Sequence, residues 1–190
     1  MIILFRNLIL CTMLLFVFGC ATSDEFVRPG VDFDRYTRIA VISFSDYPGK
    51  PGSGLQVADI VSMELLKLGI DVVDRTSLDK VLREQSLGSS GLVDDYTSPE
   101  IGKLLGVNAI MTGTLTEWST TVTDIQLIQG GAPANMPISA AGITMKLIDV
   151  ETGQIIWSGN ARASTTGNNM ESIAAKNAIK KIGKQFIQHF

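Results

Sequence analysis

The chain has 190 residues, of which 45% are hydrophobic and 18% charged, and its formal net charge is −3. That leaves room for one ordinary domain plus an appendage, and so mild an acidity gives no basic footprint for nucleic acid. Both cysteines, Cys11 and Cys20, lie near the N-terminus, and the single histidine, His189, lies next to the C-terminus. Neither a disulfide framework nor a zinc-type metal site is therefore expected in the folded region.

The first element is an apolar run, residues 8–18 (LILCTMLLFVF), preceded by Arg6. A membrane-spanning helix needs about 20 apolar residues, whereas a signal-peptide core needs roughly 7–15 with a positive flank and a small-residue cut site. The run fits the second description. Val17-Phe18-Gly19-Cys20 resembles the lipobox of bacterial lipoproteins, in which the cysteine is acylated and becomes the new N-terminus. Gly19 and Cys20 fit that pattern; Phe18 stands where a small residue is usual. A plain signal peptide or an uncleaved anchor is the alternative. Ala21 is not the Asp that retains lipoproteins in the inner membrane, so the resemblance points to the outer membrane.

Residues 21–36 show neither a helical nor a strand period and carry Pro29 and Gly30, so they read as a tether of 16 residues. Regular structure is expected from Thr37 onward. Residues 38–44 (RIAVISF) form a short β-branched run, a buried strand. The loop GKPGSG, residues 49–54, lies between strand and helix, where a phosphate loop would sit, but it matches neither glycine-rich fingerprint and reads as a turn. Residues 55–68 have a helical period through Leu55, Ala58, Val61, Leu65 and Leu68, with Gly69 as the C-terminal stop. A strand at 70–73 follows, then a helix opening at Thr76 with Asp79 as its capping-box partner.

Ser98-Pro99-Glu100 opens a further helix, with Ile101, Leu104 and Leu105 inward and Gly106 at its end. A long strand is expected over 108–123. Residues 142–150 alternate, with Ile143, Met145 and Leu147 on one face; Glu151-Thr152-Gly153 turns the chain into a strand over 154–163. The last helix covers 170–186, with Ile173, Ala174, Ile179, Ile182 and Phe186 inward and Lys180, Lys181 and Lys184 placed well for the negative helix end. The order β-α-β-α-α-β-β-β-α predicts an α/β fold, a mixed sheet packed with helices. The domain division is a signal peptide at 1–19, a lipid-anchored tether at 20–36 and the α/β domain at 37–190.

Catalytic constellations are missing. Asp94 and Asp95 are adjacent and cannot easily converge on one atom, and His189 alone cannot serve a Ser-His-Asp arrangement. No enzyme activity and no cofactor are expected.

Residues 72–116, VVDRTSLDKVLREQSLGSSGLVDDYTSPEIGKLLGVNAIMTGTLT, resemble the CsgG-like family, named for the curli secretion lipoprotein. The pattern is carried by Arg75 at a strand end, Glu84 and Gln85 on a helix, Gly91 in a loop, Gly106 at a helix end and Gly113 in a strand. LIDVETGQIIWSG, residues 147–159, also fits. The resemblance implies a periplasmic α/β domain, lipidated at Cys20 on the outer membrane, that forms a ring with copies of itself. It implies a role in exporting polymers or assembling surface structures, with export or cell-wall machinery proteins as partners. A curli-type pore needs two membrane-spanning hairpins per subunit, each strand about 9–11 residues long. One hairpin fits between Thr114 and Val150; residues 158–169 are a short polar link, so a second does not. The chain is therefore closer to the short PelC-like and LpoB-like members, which serve exopolysaccharide export or activate peptidoglycan synthases. A synthase activator must reach through the cell wall, and a tether of roughly 50–60 Å is short for that.

Overall fold

A computed structural model describes residues 22–42, 44–73, 98–125 and 134–190. The strands are β1 (Thr22–Val27), β2 (Arg38–Val41), β3 (Asp71–Val73), β4 (Ala109–Ile125), β5 (Ala134–Asp149) and β6 (Ile155–Thr166). The helices among the described residues are α1 (Ser53–Lys67), α2 (Ser98–Leu105) and α3 (Glu171–Phe186). The strands form one mixed sheet of order β1-β6-β5-β4-β2-β3. β2 runs parallel to both β3 and β4, and the β4–β5, β5–β6 and β1–β6 pairs are antiparallel. This is the mixed α/β sheet that the chain pattern predicts.

Alternation along the strands divides the core in two. Ile39, Val41, Ala109, Met111, Ile143, Met145, Leu147 and Trp157 pack with α1 and α3, while Ala40, Ile42, Ile110 and Val150 pack with Leu105 of α2. Helices thus cover both faces, and each fully buried large apolar side chain contributes roughly 1.5–3 kcal/mol.

Two helix ends are set by glycine in the same way. After α1, Gly69 (φ 85°) sends its N–H to Leu66 O, and Ile70 N–H reaches Leu65 O. After α2, Gly106 (φ 63°) bonds Lys103 O, and Val107 N–H bonds Gly102 O. Both are Schellman motifs, and the left-handed position in each suits a residue without Cβ.

The structure corrects the expected tether. Thr22–Val27 is an edge strand, with Thr22 opposite Arg162 and Val27 opposite Trp157. Its inward positions are Ser23, Glu25 and Val27, so only one of three is apolar, while Phe26 is exposed. The strand therefore lacks the hydrophobic period that marks most half-buried strands. Residues 33–35 form a 3-10 turn, and Phe33 and Tyr36 are buried. The element order accordingly gains one strand at its start.

Smaller departures follow the same logic. Leu55, Leu104 and Ile173, expected inward, are 39%, 52% and 46% exposed, while Val57, Ala175 and Ala178 are buried instead. Small residues line the seam because α1 and α3 pack closely on the sheet. β6 runs on to Thr166, through what reads as a polar link, because β5 continues to pair with it as far as Ile138. The helix expected from Thr76 lies outside the described residues.

Candidate functional site: an anchored edge and a projecting arm

The N-terminal strand is tied to the other end of the chain. Glu25 Oε2 accepts a hydrogen bond from Trp157 Nε1 at 2.9 Å, and Glu25 Oε1 lies 3.2 Å from His189 Nε2. Arg28 follows, its backbone N–H donating to Ile156 O and its Nε to Ile155 O, both at 2.9 Å. Rings of Phe33, Tyr36, His189, Phe190, Phe186 and Trp157 stack edge-on or tilted in a continuous chain, with centroids 4.8–6.0 Å apart. Such contacts add to burial and fix orientation. His189, the sole histidine, serves this seam.

A polar hub closes the far end of the sheet. Tyr36 Oη donates to Asp149 Oδ2 at 2.7 Å, and Asp149 Oδ1 accepts from Thr152 N–H at 2.6 Å and Thr152 Oγ1 at 2.8 Å. Burial works to raise the Asp149 carboxyl, but the Tyr36 hydroxyl and the two Thr152 donors outweigh it and hold it below the ordinary aspartate value. Burial, and then the Asp149 carboxylate, push the Tyr36 phenol up to about 12. Charged pairs surround the hub: Arg35–Glu151 at 2.9 Å and Arg38–Asp71 at 3.3 Å.

The GKPGSG loop is a turn, and the chain fills its anion seat itself. Asp46 accepts from Gly54 N–H at 2.6 Å and from Gly52 N–H at 2.9 Å. Those two backbone donors hold the Asp46 carboxyl below its usual range. The α1 N-terminus, where a phosphate would be recognised, is satisfied by this side chain. A Cβ on Gly54 would strike the Phe44 carbonyl, so loop and strand touch there.

β4 and β5 form the largest device of the molecule. They pair from Ala109 and Asp149 out to Ile125 and Ala134. β2 accompanies β4 only at 109–111, with an isolated bridge from Ser45 to Thr114, and β6 accompanies β5 only to Ile138. The outer part of the hairpin therefore projects as an arm. A bulge between Leu115 and Glu117 bends β4 at its base. Glu117 and Arg162 form a two-pronged ion pair across Gly142, which stands between them in the register. Above it, Ser139 Oγ donates to Gly167 O at 2.8 Å and accepts from Met170 N–H at 2.9 Å. Thr120 Oγ1 lies 2.7 Å from Ser139 Oγ and donates to Glu171 Oε1 at 2.9 Å. The arm base is thus bolted to the start of α3.

Of the sequence-predicted site residues, Gly106 and Gly113 are described. Gly106 is the left-handed helix stop. Gly113 lies where a Cβ would strike Thr144 O and the Phe44 ring. The two are structural and do not converge on one site. Cys20, Arg75, Glu84, Gln85 and Gly91, together with Asp94 and Asp95, lie outside the described residues. Among the described residues no group of three His, Cys, Asp or Glu side chains could hold a metal, and no helix is long and apolar enough to cross a membrane. Glu25, Asp149 and Glu171 were not legible as partners in the sequence, since each acts on a side chain remote in the chain; Asp46 reaches backbone donors only six and eight residues on, with no motif to signal it.

Comparison with known proteins agrees with this architecture. No curated protein matches the chain. Among solved structures, the PelC dodecamer from Paraburkholderia phytofirmans is similar at 22% identity and a TM-score of 0.53, covering 86% of this chain and 94% of that one. Lipoprotein GNA1162 from Neisseria meningitidis is similar at 15% identity and a TM-score of 0.57, covering 80% and 99%. The LpoB C-terminal domain from Escherichia coli is similar at 17% identity and 0.51, covering 73% and 88%. These likenesses establish a shared fold. The family model for the curli production assembly/transport component CsgG matches residues 32–185, nearly the whole sheet and all three described helices, and the chain belongs to that family.

Proposed function

We propose that this protein is a lipid-anchored periplasmic accessory component, acting as a homo-oligomeric ring beside the outer membrane in export or assembly of a surface polymer. The observation that carries the reading is the match to the CsgG family model over residues 32–185. The dodecameric state named for the PelC structure supports the ring, and the name of GNA1162 supports a lipoprotein. The folded edge strand adds support for work close to the membrane. If Cys20 carries the lipid, only Ala21 separates it from the first paired residue, Thr22. Two extended residues span about 7 Å, not the roughly 50–60 Å that residues 21–36 would reach as a free tether.

That same distance weighs against the second reading, an LpoB-like activator of a peptidoglycan synthase, which the fold likeness keeps in view. Mass measurement of the purified lipoprotein in detergent, with single-particle imaging, tests the ring: a closed multiple of the protomer is expected, and a strict monomer in both sinks it. Cross-linked pull-downs separate the two partners, since a synthase captured in place of export proteins favours the activator. No catalytic role belongs to either reading.

A further inference from the structure

We propose that the groove between α1 and α3 is a binding site for a small amphiphilic anion, an acidic group joined to a short apolar body. Such a site requires neither the anchor nor the ring proposed above.

Two joined spaces make the site. The groove has a volume of about 460 Å³, within the size range of small-ligand pockets, and is walled by Glu64 and Leu68 of α1 and by Lys180, Lys181 and Lys184 of α3. Inward of it, an apolar slot of about 20 Å³ lies between Leu68, Met111, Met145, Trp157 and Phe186. Leu68 and Gly183 line both spaces. The slot has room for about one small group, and its two methionines are the side chains best suited to repack around a larger one.

Gly183 keeps the two spaces joined. Glycine weakens the interior of a helix, so its presence there needs a reason. The other described helical glycines have one: a Cβ would strike the Phe44 carbonyl at Gly54 and the Val150 side chain at Gly102. At Gly183 the backbone is helical, and a Cβ would meet only Leu68 Cδ1 at 3.7 Å, an ordinary contact. Neither backbone nor packing requires glycine at this position. What the missing side chain leaves is the opening from groove to slot.

Charge on the rim selects the ligand. α3 carries Lys176, Lys180, Lys181 and Lys184 against Glu171 alone, so its net charge is 4 − 1 = +3 in a chain of −3. The helix dipole accounts for Lys184, in the last turn, but its influence fades before Lys180. Glu64, the acid in the groove wall, is paired with Lys67 at 2.7 Å. Glu171 is at the other end of α3, bonded to Thr120. Ammonium groups thus rim an opening whose inner end is apolar. An inorganic anion would leave the slot unfilled, and a neutral apolar molecule would leave the lysines unanswered.

The test uses the full chain in phosphatidylcholine nanodiscs, with isotope-labelled methionine methyl groups observed by NMR. Phenyl phosphate is the probe; inorganic phosphate and benzyl alcohol are the controls. Saturable shifts are expected at the Met111 and Met145 methyls with phenyl phosphate, and binding about tenfold weaker or worse for either control. Gly183→Leu should plug the opening and abolish those shifts. Lys180→Gln combined with Lys184→Gln should weaken phenyl phosphate about tenfold and leave benzyl alcohol unchanged. Because both lysines are on the surface, this second variant decides the matter if Gly183→Leu fails to fold. Shifts confined to the exposed Met63 and Met170 methyls, or a control that binds as tightly as phenyl phosphate, overturn the proposal. So do shifts that appear only when phosphatidylglycerol is added to the nanodisc, which would give the groove to a membrane lipid.

Discussion

Tyr36 and Asp149 show what single residues do in this fold. The Tyr36 hydroxyl donates to a buried carboxylate, so Tyr36→Phe should cost about 1.5–3 kcal/mol, read from the urea midpoint. Asp149 is held below the ordinary aspartate value of 3.8, so its contribution is present above that pH and is lost as pH falls through the lower folded value. Tyr36 has the opposite sign: raised from 10.0 to about 12, it contributes fully below pH 10 and the contribution is lost between 10 and 12. Stability measured against pH should fall at both limits; in Asp149→Asn the acid limb should flatten and the alkaline limb shrink, with burial alone still raising the Tyr36 phenol, and an unchanged profile would refute the hub. Asp46→Ala should cost about 0.5–2 kcal/mol as a lost helix cap. The glycines at helix ends were legible in the sequence because their role is local: Gly69 and Gly106 terminate a periodic run. Asp149 was not, since its partner Tyr36 lies 113 residues away.

At the scale of elements, the long strands and the terminal helix were visible because their apolar periods are strong. The β5–β6 hairpin was visible from ETG between two alternating runs. β1 was hidden because the side chain it buries most usefully is Glu25, which looks like a surface residue until Trp157 Nε1 is placed beside it. Glu25→Leu should therefore destabilise rather than help, by about 1–3 kcal/mol for the orphaned indole N–H, accompanied by a shift in tryptophan fluorescence. The outer arm was legible only in part, since Asp124 and Gln126 break the apolar alternation that would mark a lipid-facing strand, while backbone pairing continues through Ile125 regardless. Ser139→Ala removes the hydroxyl that joins Gly167 O, Met170 N–H and Thr120, and should loosen the arm base against α3. Hydrogen exchange should show faster amides at Ser139 and Met170 with the far hub unchanged; uniform acceleration would mean the bolt is not local.

For the whole molecule, the family pattern in residues 72–116 and 147–159 was a stronger guide than any single motif, because it constrains sheet and helices together. Its best-resolved anchor is Gly113, squeezed between Thr144 O and the Phe44 ring. Gly113→Ala should cost about 1–3 kcal/mol through overpacking, measured by thermal melting, and should do so whether or not copies associate. An effect seen only at concentrations where the protein oligomerises would place Gly113 at a subunit contact instead.

The seam between Glu25 and Trp157 spans 132 residues of sequence. A chain that emerges N-terminus first delivers β1 long before β6 exists to receive it. Closing so long a loop is entropically the slowest pairing in the sheet, so β1 is expected to dock last. Under the lipidation at Cys20 proposed above, the anchor would be attached before the edge that draws the domain down onto it has docked.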